Sequence, residues 1–294
     1  MEMTCYLCGG VSFECVHSGV RDHKNIDVLK CTKCGLVFLS SFAHVVDDYY
    51  TSGKMHDWNK EKWDDWVNAS EKDDLRRVLY LKNILQGNSL LDFGCGNCNF
   101  LIKARSISDD ITGIEPDRTF ESYVGKDLKN LNISVHKAIS DLPNRKFDII
   151  TLFHVIEHLI DPIPILNQLK TLLTDTGKII IETPNSNDAL LSLYQCKAFA
   201  DFTYWGCHVR LYNEDTLNQL LDRIGLSGHV VQIQRYSLAN HLYWLSCGKP
   251  GGHDIWEFLD SQDIQNLYQR SLFEKRACDT LLGVFQNESS FNCI

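Results

Sequence analysis

From residue 89 onward, short apolar runs alternate with stretches in which apolar residues recur every three or four positions. The runs predict strands at 89–93, 111–115, 133–138, 147–153 and 177–182. The spaced stretches predict helices at about 97–107, 117–128 and 162–173. Such alternation implies a parallel sheet with crossover helices, an α/β fold. Beyond 182 the pattern changes. Residues 183–212 show no period, a helix is expected at 213–224 and a strand at 229–234, and 235–277 reads as a loop and helix. A last apolar run, Thr280 to Phe285, closes the pattern. The segments 183–212 and 235–277 read as two insertions over the sheet's carboxyl edge, where long loops usually bind something.

The N-terminal part has another character. Residues 1–40 hold two short strand-like segments, Asp27 to Lys30 and Leu36 to Leu39. Residues 41–88 read as a helical connector: Asp47-Asp48-Tyr49-Tyr50, then Trp58, Trp63 and Trp66, then an apolar stripe of Leu75, Val78, Leu79 and Leu85 ending at Gly87-Asn88. The tryptophans are expected to pack against the main domain, residues 89–294.

With 294 residues and 44% hydrophobic content, the chain has core enough for one domain and an appendage. Its formal charge of −9 makes bulk RNA or DNA an unexpected substrate, because phosphate binding is driven by Lys and Arg. No charged start followed by an apolar run marks a signal peptide, and no run approaches the roughly 18 residues of a membrane span. The expected compartment is the cytoplasm. In that setting 12 cysteines suggest thiols and metal rather than disulfides. Cys5-x-x-Cys8 and Cys31-x-x-Cys34, each followed by a glycine (Gly9, Gly35), match a small four-cysteine zinc ribbon. A ribbon of this size would take its stability from structural Zn²⁺.

The richest stretch is Leu90-Leu91-Asp92-Phe93-Gly94-Cys95-Gly96, a buried strand running into a glycine turn and a helix. A Cβ at Gly94 or Gly96 would hold a ligand away from the backbone. Asn99 stands where a dinucleotide fingerprint needs its third glycine, and Asp92 would repel a pyrophosphate yet suits an ammonium group. Cys95 and Cys98 form a further Cys-x-x-Cys, taken as small packing residues of the turn.

This stretch resembles motif I of class I S-adenosylmethionine (SAM) methyltransferases. The resemblance runs through most of the chain and implies their Rossmann-like seven-stranded sheet, with Thr280 to Phe285 as the seventh, antiparallel strand. It implies SAM as cofactor, held by Asp92, Gly94 and Gly96. Glu115, followed by Pro116, resembles the acid that family sets on the ribose hydroxyls. Phe153-His154-Val155-Ile156-Glu157-His158 is similar to a motif of small-molecule members, in which the Phe153–His154 segment passes beside the methionyl part. For adenine no acid is obvious, so backbone near Ile139 or the side chain of Asp141 is expected there.

A zinc ribbon followed by such a domain resembles bacterial methyltransferases that modify sugars, nucleotide-linked sugars or surface-polysaccharide precursors. In those, a tyrosine from the connector often covers the SAM site, which points to Tyr50 or Tyr49. His208 and Tyr212 match their His-x-x-x-Tyr element, with the histidine as general base, and His158 is a further catalytic candidate. Methyl transfer needs mainly positioning and a deprotonated nucleophile, and histidine titrates in a suitable range. Gly248-Lys249-Pro250-Gly251-Gly252 could cradle a phosphate-bearing sugar, with Asn240, His241 and His253 as substrate contacts. Transfer to oxygen is slightly preferred over carbon. The rival readings are an RNA methyltransferase that uses the ribbon as reader, and a scaffold protein that binds SAM without turnover.

Overall fold

A computed structural model describes residues 3–46, 49–52, 60–120, 127–142 and 144–287. Asp47, Asp48, Trp58 and residues 121–126 of the expected 117–128 helix lie outside the described residues. In chain order the strands are β1 (Phe13–His17), β2 (Val28–Cys31), β3 (Val37–Leu39), β4 (Leu90–Phe93), β5 (Ile111–Ile114), β6 (Ile133–His136), β7 (Phe147–Phe153), β8 (Leu173–Pro184), β9 (Arg210–Leu211), β10 (Leu226–Ile233) and β11 (Thr280–Asn287).

Seven of them form one sheet in the order β10-β11-β8-β7-β4-β5-β6. β4 to β8 pair in parallel, whereas β11 runs antiparallel between β8 and β10, as expected for the final apolar run. The central strands are apolar on both faces because both are covered. Leu90, Ile149 and Ile180 face a cluster with Leu81, Leu85 and Leu101. Their neighbours Leu91, Ile150 and Ile179 face the opposite cluster with Leu166, Leu169 and Leu217. From β4 the chain steps outward to β5 and β6, then returns to β7 on the other side of β4. The carboxyl ends of β4 and β7 therefore flank the crevice where open α/β sheets place ligands.

The helix Lys60–Leu85 runs 26 residues, about 39 Å, across one face. It buries half of the expected stripe: Val78 and Leu85 are inside, joined by Leu81, whereas Leu75 and Leu79 are exposed. The inward face carries charge instead, with Asp74 and Arg77 buried.

The insertion 183–212, expected to be irregular, holds the helices Ala189–Ser192 and Lys197–Thr203 and then β9. The second insertion holds two main helices, Leu238–Cys247 and Gln262–Glu274. The N-terminal unit is not set apart from the rest. β9 pairs with β3, giving a four-stranded sheet β1-β2-β3-β9. Cys5, Leu7, Cys31, Leu36 and Phe38 share one apolar cluster with the helices that cover the large sheet.

Candidate active site

The glycine turn after β4 is built for close approach. Gly94 and Gly96 both have positive φ, 79° and 51°, where a side chain is strained. A Cβ on Gly94 would meet Val155 Cγ2 at 2.5 Å, and one on Gly96 would meet Trp66 Cη2 at 2.7 Å. Two carboxylates bracket this turn. Asp92 is buried and accepts a hydrogen bond from Thr151 Oγ1 at 2.7 Å. Burial lifts its carboxyl to about 7, against the pull of Thr151 and Arg77. Glu115 accepts from Gly96 N–H (2.9 Å) and Asp117 N–H (3.0 Å), joining the end of β5 to the turn across Pro116. Burial raises its carboxyl too, the two amides opposing. Cys95 and Cys98 are packing residues here: both are buried, with sulfurs 3.6 Å apart. Asp141 is spent on its own turn, accepting from Lys137 and Ala138 N–H.

The end of β7 supplies the next wall. Phe153 packs edge-on against Phe100 at 4.8 Å, with the Arg77 guanidinium 4.7 Å from its ring centre. His154 has φ 56°; its Nδ1 stands 3.2 Å from Glu157 Oε1, and its Nε2 stands 3.4 Å from Glu182 Oε1 and 2.9 Å from Arg235 Nη1. Burial would lower its imidazole, but Glu157 and Glu182 raise it. Burial would raise the Glu157 carboxyl, but His154 and the imidazoles of His158 and His208 hold it at about 2. Below lies Glu182, fully buried at the end of β8, which accepts from Arg76 at 2.8 Å and from Arg77 at 2.7 Å. Asp73 pairs with Arg235 and Arg76, and Asp74 with Arg77. None of this ion network was expected from sequence.

The third wall comes from the first insertion. His158 donates from Nδ1 to the Cys207 carbonyl at 2.8 Å, so its neutral form keeps the lone pair on Nε2. Tyr50 donates to the His158 carbonyl at 3.0 Å and its ring lies 6.0 Å from the imidazole. His208 stands 5.1 Å from His158 and 5.6 Å from Trp205, ring to ring. Burial, with His158 adding to it, lowers His208 to about 3, so at neutral pH its imidazole is uncharged. Its Nδ1 is buried with no hydrogen-bond partner among the described residues. His158, Cys207 and His208 form one compact group, with side-chain donor atoms within 4.8 Å of one another.

Other candidates lie elsewhere. Tyr212 is buried in the core and its hydroxyl has no partner among the described residues, so it is not presented to an acceptor. His241 is buried between Gln234 and Tyr268, and Asn240 Oδ1 accepts from Gly251 N–H. Both are buried and engaged within the second insertion. Gly248 ends the helix Leu238–Cys247 in left-handed conformation, and Lys249 leans over the Tyr243 ring at 5.9 Å. His253 stands 3.6 Å from Asp254 at the surface. At the N-terminus, Cys5, Cys8, Cys31 and Cys34 bring their sulfurs within 4.8 Å of one another. The pairs Cys8–Cys31 and Cys5–Cys34 are 3.5 and 3.6 Å apart, close to the edge of a tetrahedral thiolate site. The four residues fit a structural Zn²⁺.

The family model "Methyltransferase domain" matches residues 56–231. A tRNA U34 carboxymethyltransferase from Campylobacter concisus is 33% identical over 106 residues, 34% of this chain and 36% of that protein. A ubiquinone biosynthesis O-methyltransferase from Glaesserella parasuis is 30% identical over 122 residues, 37% of this chain and 52% of that protein. The chain thus spans about a third to a half of the curated relatives it matches. Among solved structures, the plantazolicin methyltransferase BamL, a complex that includes SAH, aligns with TM-score 0.51 at 20% identity, covering 79% of this chain and 92% of that one. Magnesium protoporphyrin IX methyltransferase from Synechocystis PCC 6803, with bound SAH, aligns with TM-score 0.51 at 12% identity, covering 83% and 99%. These likenesses show the fold. Among the described residues no helix is long and apolar enough to cross a membrane.

Proposed function

The chain belongs to the methyltransferase-domain family, and from that premise we propose that it methylates a sugar, a nucleotide-linked sugar or a surface-polysaccharide precursor. Oxygen is the preferred acceptor atom. The observation that carries the reading is the joining of Glu115 to Gly96 N–H beside the buried Asp92, at the switch point of the sheet. An acid beside a glycine turn suits a ribose, and a second acid one strand away suits an amino-acid ammonium. SAM, when bound there, supplies an electrophilic methyl group on a sulfonium.

The chain's own residues do the rest. Asp92 and Glu115 hold the donor, and Phe153 and His154 close the floor beside it. Burial keeps the His208 imidazole uncharged and lowers its basicity to about 3, so it takes the proton of the acceptor hydroxyl only as methyl transfer makes that proton acidic. Glu157, ionised down to about pH 2, offsets the charge that then appears on the imidazole. Tyr50, Trp205 and His158 offer aromatic surface and ring nitrogens suited to a polyhydroxylated ring. A structural Zn²⁺ on the four N-terminal thiolates completes the cofactor set. The curated relatives are named for a tRNA and for ubiquinone biosynthesis, and each matches little more than a third of this chain, which fits a shared donor-binding part. The −9 charge favours the small molecule over nucleic acid.

The test is turnover of labelled SAM with a panel of free sugars, nucleotide sugars, phenols and RNA. Methylation within the sugar group, lost about 10²–10⁴-fold in His208→Gln with SAM affinity unchanged, supports the reading. Methylation of RNA alone overturns it.

A further inference from the structure

We infer that the N-terminal cysteine unit is a positioning element of the active site, with Asp22 and His44 as the residues through which it sets His208. This rests on the reading of His208 as base.

The support is the way the segment Tyr204 to Leu211 is held. The Tyr204 carbonyl accepts from Arg21 N–H at 2.9 Å. The Arg21 guanidinium lies 4.4 Å from the centre of the Trp205 ring. Gly206 is clamped from both sides: its N–H donates to Asp22 Oδ1 at 2.8 Å, and its carbonyl accepts from His44 Nε2 at 2.7 Å. That bond puts the His44 proton on Nε2, and Nδ1, without a partner among the described residues, is then only a lone pair, cheaper to bury than an orphaned N–H. The fit is close, because a Cβ on Gly206 would stand 2.8 Å from His23 Cδ2 and 2.9 Å from Asp22 Oδ2. Cys207 is held by His158 Nδ1, the Val209 carbonyl by Leu39 N–H at 3.2 Å, and Arg210 and Leu211 pair with β3.

Every residue around His208 is therefore tied down, most of them to residues 21–44. Arg21, Asp22, Val37, Phe38 and Leu39 belong to the same small fold that the thiolates organise, and His44 follows directly after it. A general base placed wrongly by about 1 Å can lose on the order of 10²-fold in rate. A two-point clamp on Gly206, two residues before the imidazole, is where such an error would be prevented. The groups that face His208 are His158, Glu157, His154 and Arg21, so its titration reports its place among them.

The experiment compares Asp22→Ala and His44→Phe with Asp22→Asn and His44→Gln, which keep an acceptor and a donor at the clamp. The expected result is a fall in kcat of at least 10-fold in the first pair, with unchanged SAM affinity, zinc content and Tm, and recovery in the second pair. NMR of the histidine Cε1–H signals, with His208 assigned through His208→Gln, gives a readout free of turnover. In the wild type His208 does not titrate between pH 5 and 8, and in the first pair it does. If that signal moves while turnover holds, the positioning stands and the base role falls. If neither kcat nor the signal changes, the inference is overturned. A parallel loss of Tm, zinc and SAM affinity overturns it as well, since it would mark a merely structural contact.

Discussion

Trp66 of the helix Lys60–Leu85 stands against Gly96 so closely that a Cβ there would lie 2.7 Å from Cη2 and 2.9 Å from Cζ2 of the indole. The glycine turn after β4 is thus roofed by the helix that precedes that strand. Trp63 extends the roof, with its ring 5.3 Å from that of Trp66. SAM bound at this turn must change the surroundings of Trp66. Titration with SAM is expected to alter intrinsic fluorescence in the wild type and not in Trp66→Phe. Gly96→Ala, which adds a clash to a positive φ, is expected to weaken SAM binding by about 10–100-fold. An unaltered affinity would place the donor elsewhere.

Asp92 gives a trade between stability and binding. Its folded-state value of about 7 lies above the usual carboxylate value of about 3.9, so folding favours the neutral acid. Stability is then fully present below about pH 4 and is lost as pH rises through 7. Asp92→Asn is expected to gain on the order of 2–4 kcal/mol over wild type at pH 8, to match it near pH 4, and to lose SAM binding. Denaturant unfolding at the two pH values checks this, and equal stability at both would contradict it.

Glu182 carries the opposite sign. Burial would raise its carboxyl, but Arg77, His154 and Arg76 hold it well below the usual range. Its contribution is complete above about pH 4.3 and fades as pH falls below that value. Glu182→Gln leaves Arg77 buried and underpaired, at an expected cost of about 3–5 kcal/mol at neutral pH. The difference from wild type should shrink in acid. A loss below about 1 kcal/mol at pH 7 would show that the network is not needed for the fold.

Metal removal should be felt beyond the cysteines. Because β9 completes the β1-β2-β3 sheet, chelation of zinc is expected to raise hydrogen exchange in 204–211 together with 5–39. Protection of β4 and β7 should persist. Loss confined to residues before 40 would mean that the insertion holds its shape without the ribbon.

Much of this architecture was legible in the sequence where apolar period and glycine placement agree. Leu90 and Leu91 face opposite clusters, and Asp92-x-Gly-x-Gly follows them, so strand, turn and the Glu115 partner strand could be read together. The long helix departs from its apolar pattern at two positions, for a physical reason. Leu75 and Leu79 looked like its buried stripe, but Asp74 and Arg77 occupy the inner face, paired with each other and, through Arg77, with Glu182. A buried ion network has no apolar period to reveal it. Asp22 and His44 were equally hidden, since their partner Gly206 lies more than 160 residues away. The two-residue β9 is too short to leave a pattern. His241 and Asn240 looked like contacts because polar residues in an insertion do, whereas here they satisfy buried backbone and side-chain groups.

The most direct measurement is calorimetric titration of zinc-loaded protein with SAM and with S-adenosylhomocysteine, beside Asp92→Ala and Glu115→Ala. Micromolar binding by the wild type, lost in both variants while each stays folded, is the predicted result. Absence of binding by folded wild type, or binding untouched by either substitution, would contradict the donor site described here.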